Sequence, residues 1–470
     1  RIRGGAIGNG TGTSEPKRKI IPLEAEDVGV DKSPMSALDM LTSKLVSDET
    51  STAFTNIAQI IRESGDHGVV DIFKLYSKRE VLSSMIALSR LQKVCINSSD
   101  TAYCKNSSET KRTGQQYKNL SFTPSQTKAQ LDDRLLSELA HYSAYANAAY
   151  GWKGGLALSG KFYLGDLQTL IDKTGVKKND VIDYDWTAVT HRPAYYIVRD
   201  TERKNIVLCI RGTWSPKDVL TDLCATAEDF LHNENEQDIG SFILFLKNAF
   251  HLRSPVRAHK GMLASARSVA KITRKIIASE LAGDPNYRLV IVGHSLGAGT
   301  AAVLGSIWLD TFPGLVVYAY GCPCVGPADA SPTTDNAIIS VIDVDDPFST
   351  LSIGHIADLS IAISKFCENK ELREETLFRC KRAQLSEEDI KWCHSMMKIL
   401  EKLMVSEKFY PAGRIFLMGG GGDKGTVTLE EVDINKFRHI VLHPYMFDLS
   451  KHIPNRYENE LKKFWRDYSS

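Results

Sequence analysis

Residues 289–299, with the sequence LVIVGHSLGAG, constrain the fold of this chain more than any other segment. Four apolar residues, three of them β-branched, run directly into Gly-His-Ser-Leu-Gly, and a helix-forming stretch rich in small residues follows. This pattern predicts a buried strand, a sharp turn and a helix, with Ser295 exposed at the turn as a nucleophile. A bare G-x-S-x-G occurs by chance in roughly one chain in seven of this length, so the alternative is an ordinary Gly-rich connection.

Strands and helices alternate around this segment. The predicted strands are residues 194–199, 206–210, 315–320, 337–344, 413–418 and 437–442. The main predicted helices are residues 131–150, 215–223, 259–282, 354–408 and 455–465. The alternation predicts an α/β fold with a largely parallel sheet wrapped by helices, in which catalytic groups collect beyond the carboxyl ends of the strands.

Composition narrows the class of protein. With 470 residues the chain can form one large or two moderate domains, and its 58 Lys and Arg against 57 Asp and Glu do not call for a nucleic-acid partner. No apolar run approaches the length of a membrane-spanning helix. The nine cysteines lack paired C-x-x-C spacing, so we expect no zinc site, no disulfide framework and a reducing compartment. Cys95 and Cys104 bracket a polar loop and form the candidate pair under oxidation.

Four regions are predicted along the chain. Residues 1–33 are polar and predict a disordered tail, and residues 34–95 predict helices that pack on the main domain. Residues 96–130 are rich in Ser and Thr and predict a polar linker, so residues 131–470 form the catalytic domain. The chain starts at Arg1, and whether a targeting or membrane segment precedes it stays open.

A serine nucleophile needs a histidine to accept its proton and an acid to orient that histidine, in the chain order Ser, Asp or Glu, His. The strand at residues 337–344 delivers three candidate acids, Asp343, Asp345 and Asp346. Asp346 lies furthest beyond the strand, beside Pro347, and is preferred. The alternative for this aspartate is a solvated turn or a helix cap.

Two histidines, His443 and His452, follow the last predicted strand. His452 is preferred as the general base because it lies in a loop directly before the final helix, but His443 stays open. The oxyanion hole is expected to use the backbone N–H of Leu296 and that of Thr213. The candidate supporting residues are Asp222, which alternatively caps a helix, and His294.

Several segments together resemble the class 3 lipases, and among them the catalytic domain of sn-1-specific diacylglycerol lipases. The segments are RGTWSPKDVLTDL at 211–223, AHKGM at 258–262, VGHSLGAGTAA at 292–302, YPAGR at 410–414 and HIP at 452–454. The similarity covers about residues 131–465 and implies an α/β-hydrolase fold with an N-terminal helical extension.

The resemblance also implies roles for individual residues. The family's nucleophile falls on Ser295, its acid on Asp346 and its histidine on His452. Thr213 falls on the oxyanion residue, and Asp222 on the carboxylate that braces that loop. The chain departs from the family after Asp346, where Pro-Phe-Ser-Thr replaces a hydrophobic residue followed by Pro-Arg, so Asp343 and Asp345 stay open.

These features predict a serine hydrolase that cleaves a fatty-acyl ester of a membrane-derived glycerolipid, namely the sn-1 ester of diacylglycerol. The alternatives are a phospholipase A1 or galactolipid lipase, a triacylglycerol lipase, and a catalytically idle lipid-binding protein of the same fold. No cofactor or metal is expected, and calcium dependence follows from the resemblance alone. We expect a membrane or lipid-droplet surface as partner, and a cytoplasmic location peripheral to membranes, with an organellar one and the oligomeric state left open.

Two apolar segments are candidates for lipid access. Trp214, Val219 and Leu220 would form the inner face of a lid, and Phe242 and Phe245 would dock the protein on the lipid surface. For the second segment, the alternative is that these residues are ordinary core.

Overall fold

The structure is a computed structural model that describes residues 72–104, 132–160, 163–213, 227–229, 257–328, 337–344, 346–381, 385–420, 425–443 and 449–470. Its helices are α1 (Ile72–Leu75), α2 (Lys78–Cys104), α3 (Asp133–Ala148), α4 (Gly151–Ser159), α5 (Asp166–Thr174), α6 (Lys260–Gly283), α7 (Leu296–Trp308), α8 (Ile353–Glu368), α9 (Lys370–Arg379), α10 (Glu387–Glu401) and α11 (Pro454–Ser469). Its strands are β1 (Val181–Asp185), β2 (Tyr195–Asp200), β3 (Asn205–Ile210), β4 (Ala227–Asp229), β5 (Arg257–His259), β6 (Arg288–His294), β7 (Val316–Tyr320), β8 (Gly326–Pro327), β9 (Ile338–Asp343), β10 (Phe409–Tyr410), β11 (Arg414–Gly420) and β12 (Val427–Val432). The predicted tail and the predicted helices before residue 72 lie outside these ranges.

A mixed eight-stranded sheet forms the centre of the molecule, in the order β1-β2-β3-β6-β7-β9-β11-β12. The central strands β3, β6, β7, β9 and β11 are all parallel, whereas β1, β2 and β12 pair antiparallel at the two edges. The small pairs β4–β5 and β8–β10 lie outside this sheet. The parallel centre confirms the prediction made from the alternation of strands and helices.

Helices cover both faces of the sheet, as a largely parallel sheet requires. On one face, α6 and α7 pack against apolar side chains of β3, β6 and β7. On the other face, α3 and α11 pack against each other and against a second apolar cluster that contains Tyr196, Tyr318 and Tyr320. This three-layer arrangement is the α/β-hydrolase fold that the sequence predicted.

The prediction of a last strand at residues 437–442 is wrong. A short 3₁₀ helix, Ile434–Phe437, ends at the first of these residues, no strand follows it up to residue 443, and the last strand of the sheet is instead β12, antiparallel to β11. Two side chains of α2 bond this backbone. Gln92 donates to the Ile440 carbonyl at 2.9 Å and accepts from the Leu442 N–H at 3.0 Å, and the Ser89 hydroxyl donates to the Leu442 carbonyl at 2.7 Å. The alternating apolar side chains Ile440 and Leu442 therefore face a helical layer and not a neighbouring strand.

A third apolar cluster joins α2 to α8 and α10. We call α2, α8, α9 and α10 the helical layer; it confirms that an N-terminal helical region packs on the rest of the chain. Since α2 continues to Cys104, the predicted start of the linker at residue 96 falls inside this helix. The expected pairing of Cys95 with Cys104 is wrong, because nine residues along one helix separate the two positions by about 13 Å.

None of the helices in the described ranges combines the length and the apolar character that crossing a membrane requires.

A buried histidine, His355, lies at the junction of α8 with the segment that follows β12. Its Nε2 lies 2.7 Å from the Phe437 carbonyl and its Nδ1 lies 2.7 Å from the Ser352 hydroxyl. Because a carbonyl can only accept, Nε2 carries a proton and donates it to Phe437. Burial lowers the pKa of His355 to about 4, and the nearby Lys408 acts in the same direction.

We predict that acid destabilises the fold through His355. Below pH 6.5 the imidazole of His355 binds a proton in the unfolded chain, whereas in the folded chain it stays unprotonated down to about pH 4. Protonation therefore favours the unfolded chain, and the free energy of unfolding decreases as the pH falls. Between pH 7 and pH 4 the loss amounts to about 3 kcal/mol. Urea unfolding at several pH values should give a shallower acid decline for His355→Gln than for the unaltered chain. Parallel declines of the two proteins would contradict this assignment.

Candidate active site

The turn between β6 and α7 places Ser295 in a backbone conformation that residues other than glycine seldom adopt. Ser295 has φ 59° and ψ −132°, which costs about 1–3 kcal/mol for a residue with a Cβ. The Ser295 N–H continues the sheet by donating to the Tyr320 carbonyl at 3.0 Å, and its own carbonyl accepts from the first turn of α7. The strained residue is thus bonded on both sides, as a nucleophile elbow requires.

Two glycines allow the helix to begin this close to the strand. A Cβ added to Gly293 would lie 2.3 Å from the Gly297 carbonyl oxygen, and one added to Gly297 would lie 2.3 Å from the Ile210 carbonyl oxygen. Both distances are far below van der Waals contact, and both neighbours are backbone atoms that cannot rotate away. The two glycines of the G-x-S-x-G segment are therefore steric requirements of this turn.

Ser295, His452 and Asp346 form one hydrogen-bonded chain. The Oγ of Ser295 lies 2.7 Å from His452 Nε2, and His452 Nδ1 lies 2.7 Å from Asp346 Oδ2. Since a carboxylate accepts, Nδ1 carries the imidazole proton and Nε2 is left to accept from the serine hydroxyl. All three residues are buried, and the Phe348 ring lies 4.3 Å from the His452 ring.

Both oxygens of Asp346 are held by further bonds. Its Oδ1 caps a short 3₁₀ helix, Pro347–Thr350, by accepting from the Phe348 N–H, and its Oδ2 accepts from the Tyr457 hydroxyl at 2.6 Å. Asp343, the alternative acid, instead forms an ion pair with Arg456 at 2.5 Å. Asp345 lies outside the described residues.

His294 ties the elbow to the backbone of the histidine turn. Its Nε2 donates to the His452 carbonyl at 2.6 Å, so its Nδ1 accepts from the Tyr150 hydroxyl at 2.8 Å. Burial, followed by the neighbouring imidazole of His452, holds the pKa of His294 well below its usual range. The ring therefore stays neutral and serves as a fixed link between β6 and the 3₁₀ turn Leu449–His452.

The two predicted oxyanion donors lie on either side of the elbow. Leu296 is the first residue of α7, where a helix N–H has no acceptor within the helix. Thr213 follows β3, whose residue Ile210 is in register with Gly293 of β6, so this part of the chain passes beside Ser295. Both predicted donors thus belong to segments adjacent to Ser295.

Other predicted site residues lie outside the described ranges, namely Asp222, Trp214, Val219, Leu220, Phe242 and Phe245. The sequence analysis missed the roles of Tyr150 and Tyr457. The only available signals were that Tyr150 ends an Ala- and Tyr-rich helical segment and that Tyr457 follows His452 by little more than one helical turn.

Comparison with known proteins finds similarity to lipases. Residues 207–354 match the profile of the family described as Lipase (class 3), which confirms the resemblance inferred from the motifs. Diacylglycerol lipase-beta of Mus musculus is 28% identical over 227 residues, which cover 43% of this chain and 31% of the relative. Diacylglycerol lipase-alpha of Homo sapiens is 31% identical over 170 residues, covering 35% of this chain and 14% of the relative. The matches thus span less than a third of each relative.

The solved structures to which this chain is similar include fungal lipases. A crystal structure of an MDLA variant from Penicillium cyclopium is 18% identical and covers 70% of this chain and 98% of its own, with a TM-score of 0.45. The triacylglyceride lipase of Rhizomucor miehei is 17% identical and covers 46% of this chain and 74% of its own, with a TM-score of 0.33.

We predict that Tyr457→Phe weakens the site without unfolding it. The change removes the hydroxyl that donates to Asp346 and leaves the Asp343 N–H, which donates to that hydroxyl at 3.0 Å, without its acceptor. Because a hydrogen bond to a charged group contributes about 1.5–3 kcal/mol, labelling of Ser295 by a fluorophosphonate should slow by at least about tenfold. The matched control is Tyr468→Phe, on the exposed end of the same helix, which should label at the normal rate. Equal rates for both variants would show that Tyr457 has no part in positioning the acid.

Proposed function

We propose that this protein is a serine hydrolase that cleaves a fatty-acyl ester of a glycerolipid. The observation that carries the proposal is the continuous chain from Ser295 Oγ through the His452 imidazole to Asp346. The match of residues 207–354 to class 3 lipases supports the same chemistry. The names of the curated relatives favour diacylglycerol as the substrate, and we extend this to its sn-1 ester, with a monoacylglycerol and a fatty acid as products.

The first step is attack of Ser295 Oγ on the ester carbonyl carbon. His452 Nε2 takes the hydroxyl proton, and Asp346 stabilises the imidazolium that forms. The carbonyl oxygen becomes an oxyanion, which the N–H groups of Leu296 and Thr213 would bind. Such a donor contributes about 3–4 kcal/mol to transition-state stabilisation.

The second half of the reaction releases the acid. The imidazolium gives its proton to the leaving glyceride oxygen, which leaves the acyl group on Ser295. Water then attacks this acyl ester while His452 takes a proton from it, and collapse of the second oxyanion frees the fatty acid and restores the serine hydroxyl. Every proton transfer runs through the Nε2 atom, whose position is fixed by the bonds on the other side of the ring.

In this proposal the enzyme acts without a cofactor, as a peripheral protein at the cytoplasmic surface of a membrane or lipid droplet. The lid and docking segments named from the sequence would draw the lipid from that surface. For calcium, no group of three His, Cys, Asp or Glu side chains in the described ranges is arranged to hold a metal ion.

We predict that Ser295→Ala abolishes ester hydrolysis while the protein stays folded. Loss of the nucleophile should lower kcat on the order of 10⁵- to 10⁶-fold, because the other groups of the site cannot replace the attacking oxygen. Turnover of a short soluble ester and a circular dichroism melt measure the two effects. The control Ser306→Ala removes a hydroxyl that only bonds the Ala302 carbonyl on the same helix, and it should keep normal turnover. Near-normal turnover by Ser295→Ala would disprove the mechanism.

We predict further that the purified protein releases the sn-1 chain of diacylglycerol. Vesicles should carry diacylglycerols whose two chains differ in length, alongside phospholipid, galactolipid and triacylglycerol with the same chains. Mass spectrometry of the products identifies both the position cleaved and the head group tolerated. Release of the sn-2 chain, or faster cleavage of another lipid class, would contradict the assignment of the sn-1 ester of diacylglycerol as the substrate. Binding without any cleavage would point to an idle lipid-binding protein.

A further inference from the structure

Two cysteines of the helical layer lie in direct contact. Cys380 caps the carboxyl end of α9, Cys393 lies within α10, and their Sγ atoms are 3.6 Å apart. A disulfide requires a separation of about 2.05 Å, so small side-chain rotations bring the two sulfurs to bonding distance. The sequence spacing of these two cysteines did not single them out.

Neighbouring contacts hold this pair in place. Arg379, next to Cys380, forms a salt bridge with Asp389 at 3.0 Å, and the buried Asp389 precedes Cys393 by one turn of α10. The Arg379 guanidinium also lies 5.2 Å from the Trp392 ring. These contacts join the end of α9 to the first half of α10 independently of the cysteines. They therefore keep Cys380 and Cys393 next to each other.

The two cysteines differ in exposure. Cys393 is fully buried in the third apolar cluster, whereas Cys380 is only partly buried and lies at the edge of that cluster. The hydrogen bond from Cys380 lowers the pKa of Cys393, because it stabilises a thiolate at that sulfur. In the described residues, no group of three His, Cys, Asp or Glu side chains is arranged to hold a metal ion here.

We propose that Cys380 and Cys393 are a redox-sensitive dithiol that closes to a disulfide between α9 and α10. With hydrogen peroxide as oxidant, the thiolate of one cysteine of the pair attacks one peroxide oxygen, the O–O bond breaks, and the released hydroxide takes a proton to become water. The sulfur of the other cysteine then attacks the resulting sulfenic acid, and the displaced hydroxide leaves with the proton of that second thiol as a second water. Two thiols are oxidised, one peroxide is reduced, and a dithiol reductant reverses the bond by exchange.

The bond would tie together two helices of the segment that separates Asp346 from His452 in the chain. The helices α8 to α10 lie in the chain between these two positions, and α8 begins shortly after the 3₁₀ helix that Asp346 caps. The oxidised layer is expected to unfold at a higher temperature because the closed loop restricts the unfolded chain. This inference concerns the layer and does not depend on the proposed hydrolase activity.

The test uses the full chain, reduced first and then treated with hydrogen peroxide at neutral pH. After free thiols are alkylated, trypsin digestion without reductant should yield the dipeptide Cys380-Lys381 linked to residues 392–398. The linked species should weigh two hydrogens less than the separate peptides and should disappear after treatment with dithiothreitol. Full alkylation of Cys380 after peroxide treatment, or a link from Cys393 to Cys95, would overturn the proposal.

Variants separate this bond from general oxidation. Peroxide should raise the melting temperature of the unaltered chain by a few degrees, and Cys380→Ser, at the partly exposed position, should lose this shift. The control Cys367→Ser alters a cysteine of the same cluster whose Sγ contacts the Ser84 hydroxyl, and it should keep both the shift and the linked peptide. A shift that persists in Cys380→Ser would assign the effect to another group and contradict the proposal. The linked peptide in the unaltered chain tests the bond even if a variant fails to fold.

Discussion

The left-handed backbone of Ser295 is the constraint on which the rest of the site depends. A residue with a Cβ reaches this conformation only where its surroundings leave no relaxed alternative, and here the sheet bond to the Tyr320 carbonyl and the start of α7 fix both flanks. The helix can start there only because Gly293 and Gly297 present no Cβ to the adjacent backbone. The strain is offset by burial of β6 and α7 in one apolar cluster, which holds the Ser295 hydroxyl in place.

Two tyrosines extend this control to the histidine and the acid. Tyr150 fixes the His294 ring, which in turn holds the backbone of His452, and Tyr457 bonds the carboxylate of Asp346 directly. Tyr150 follows α3 and Tyr457 lies on α11, two helices that pack against each other on the same face of the sheet. The helix pair thus positions both the His294 imidazole and the Asp346 carboxylate, which lie far apart in the sequence. A shift of α3 would displace the first group, and a shift of α11 would displace the second.

Sequence patterns predicted what local chemistry determines. The β-branched run before Gly293 and the small residues after it sufficed for the strand, the turn and the helix, and the order of strands then located Asp346 and His452 at the same edge of the sheet. Sequence patterns failed where the structure of a segment depends on contacts with residues far away in the chain. Residues 437–442 alternate like a strand, yet the backbone of Ile440 and Leu442 bonds to side chains of α2, more than 340 positions earlier in the chain. The contact between Cys380 and Cys393 likewise depends on how two helices cross, which their spacing does not encode.

The same tertiary contacts bear on where the catalytic unit begins. The sequence separates an N-terminal helical region from a domain that starts near residue 131, but α2 shares one apolar core with α8 and α10, which lie between the acid and the histidine in the chain. Gln92 also holds residues 440–442, which precede the 3₁₀ turn that carries His452. Removing α2 would expose the buried side chains of Leu359, Ile363 and Phe366. It would also remove the hydrogen bonds that hold residues 440–442, which lead to that turn. Burial of apolar surface stabilises a fold by about 25 cal/mol per Å², and this stabilisation would be lost from α8 and α10 if α2 were removed. In energetic terms α2 therefore belongs to the catalytic unit.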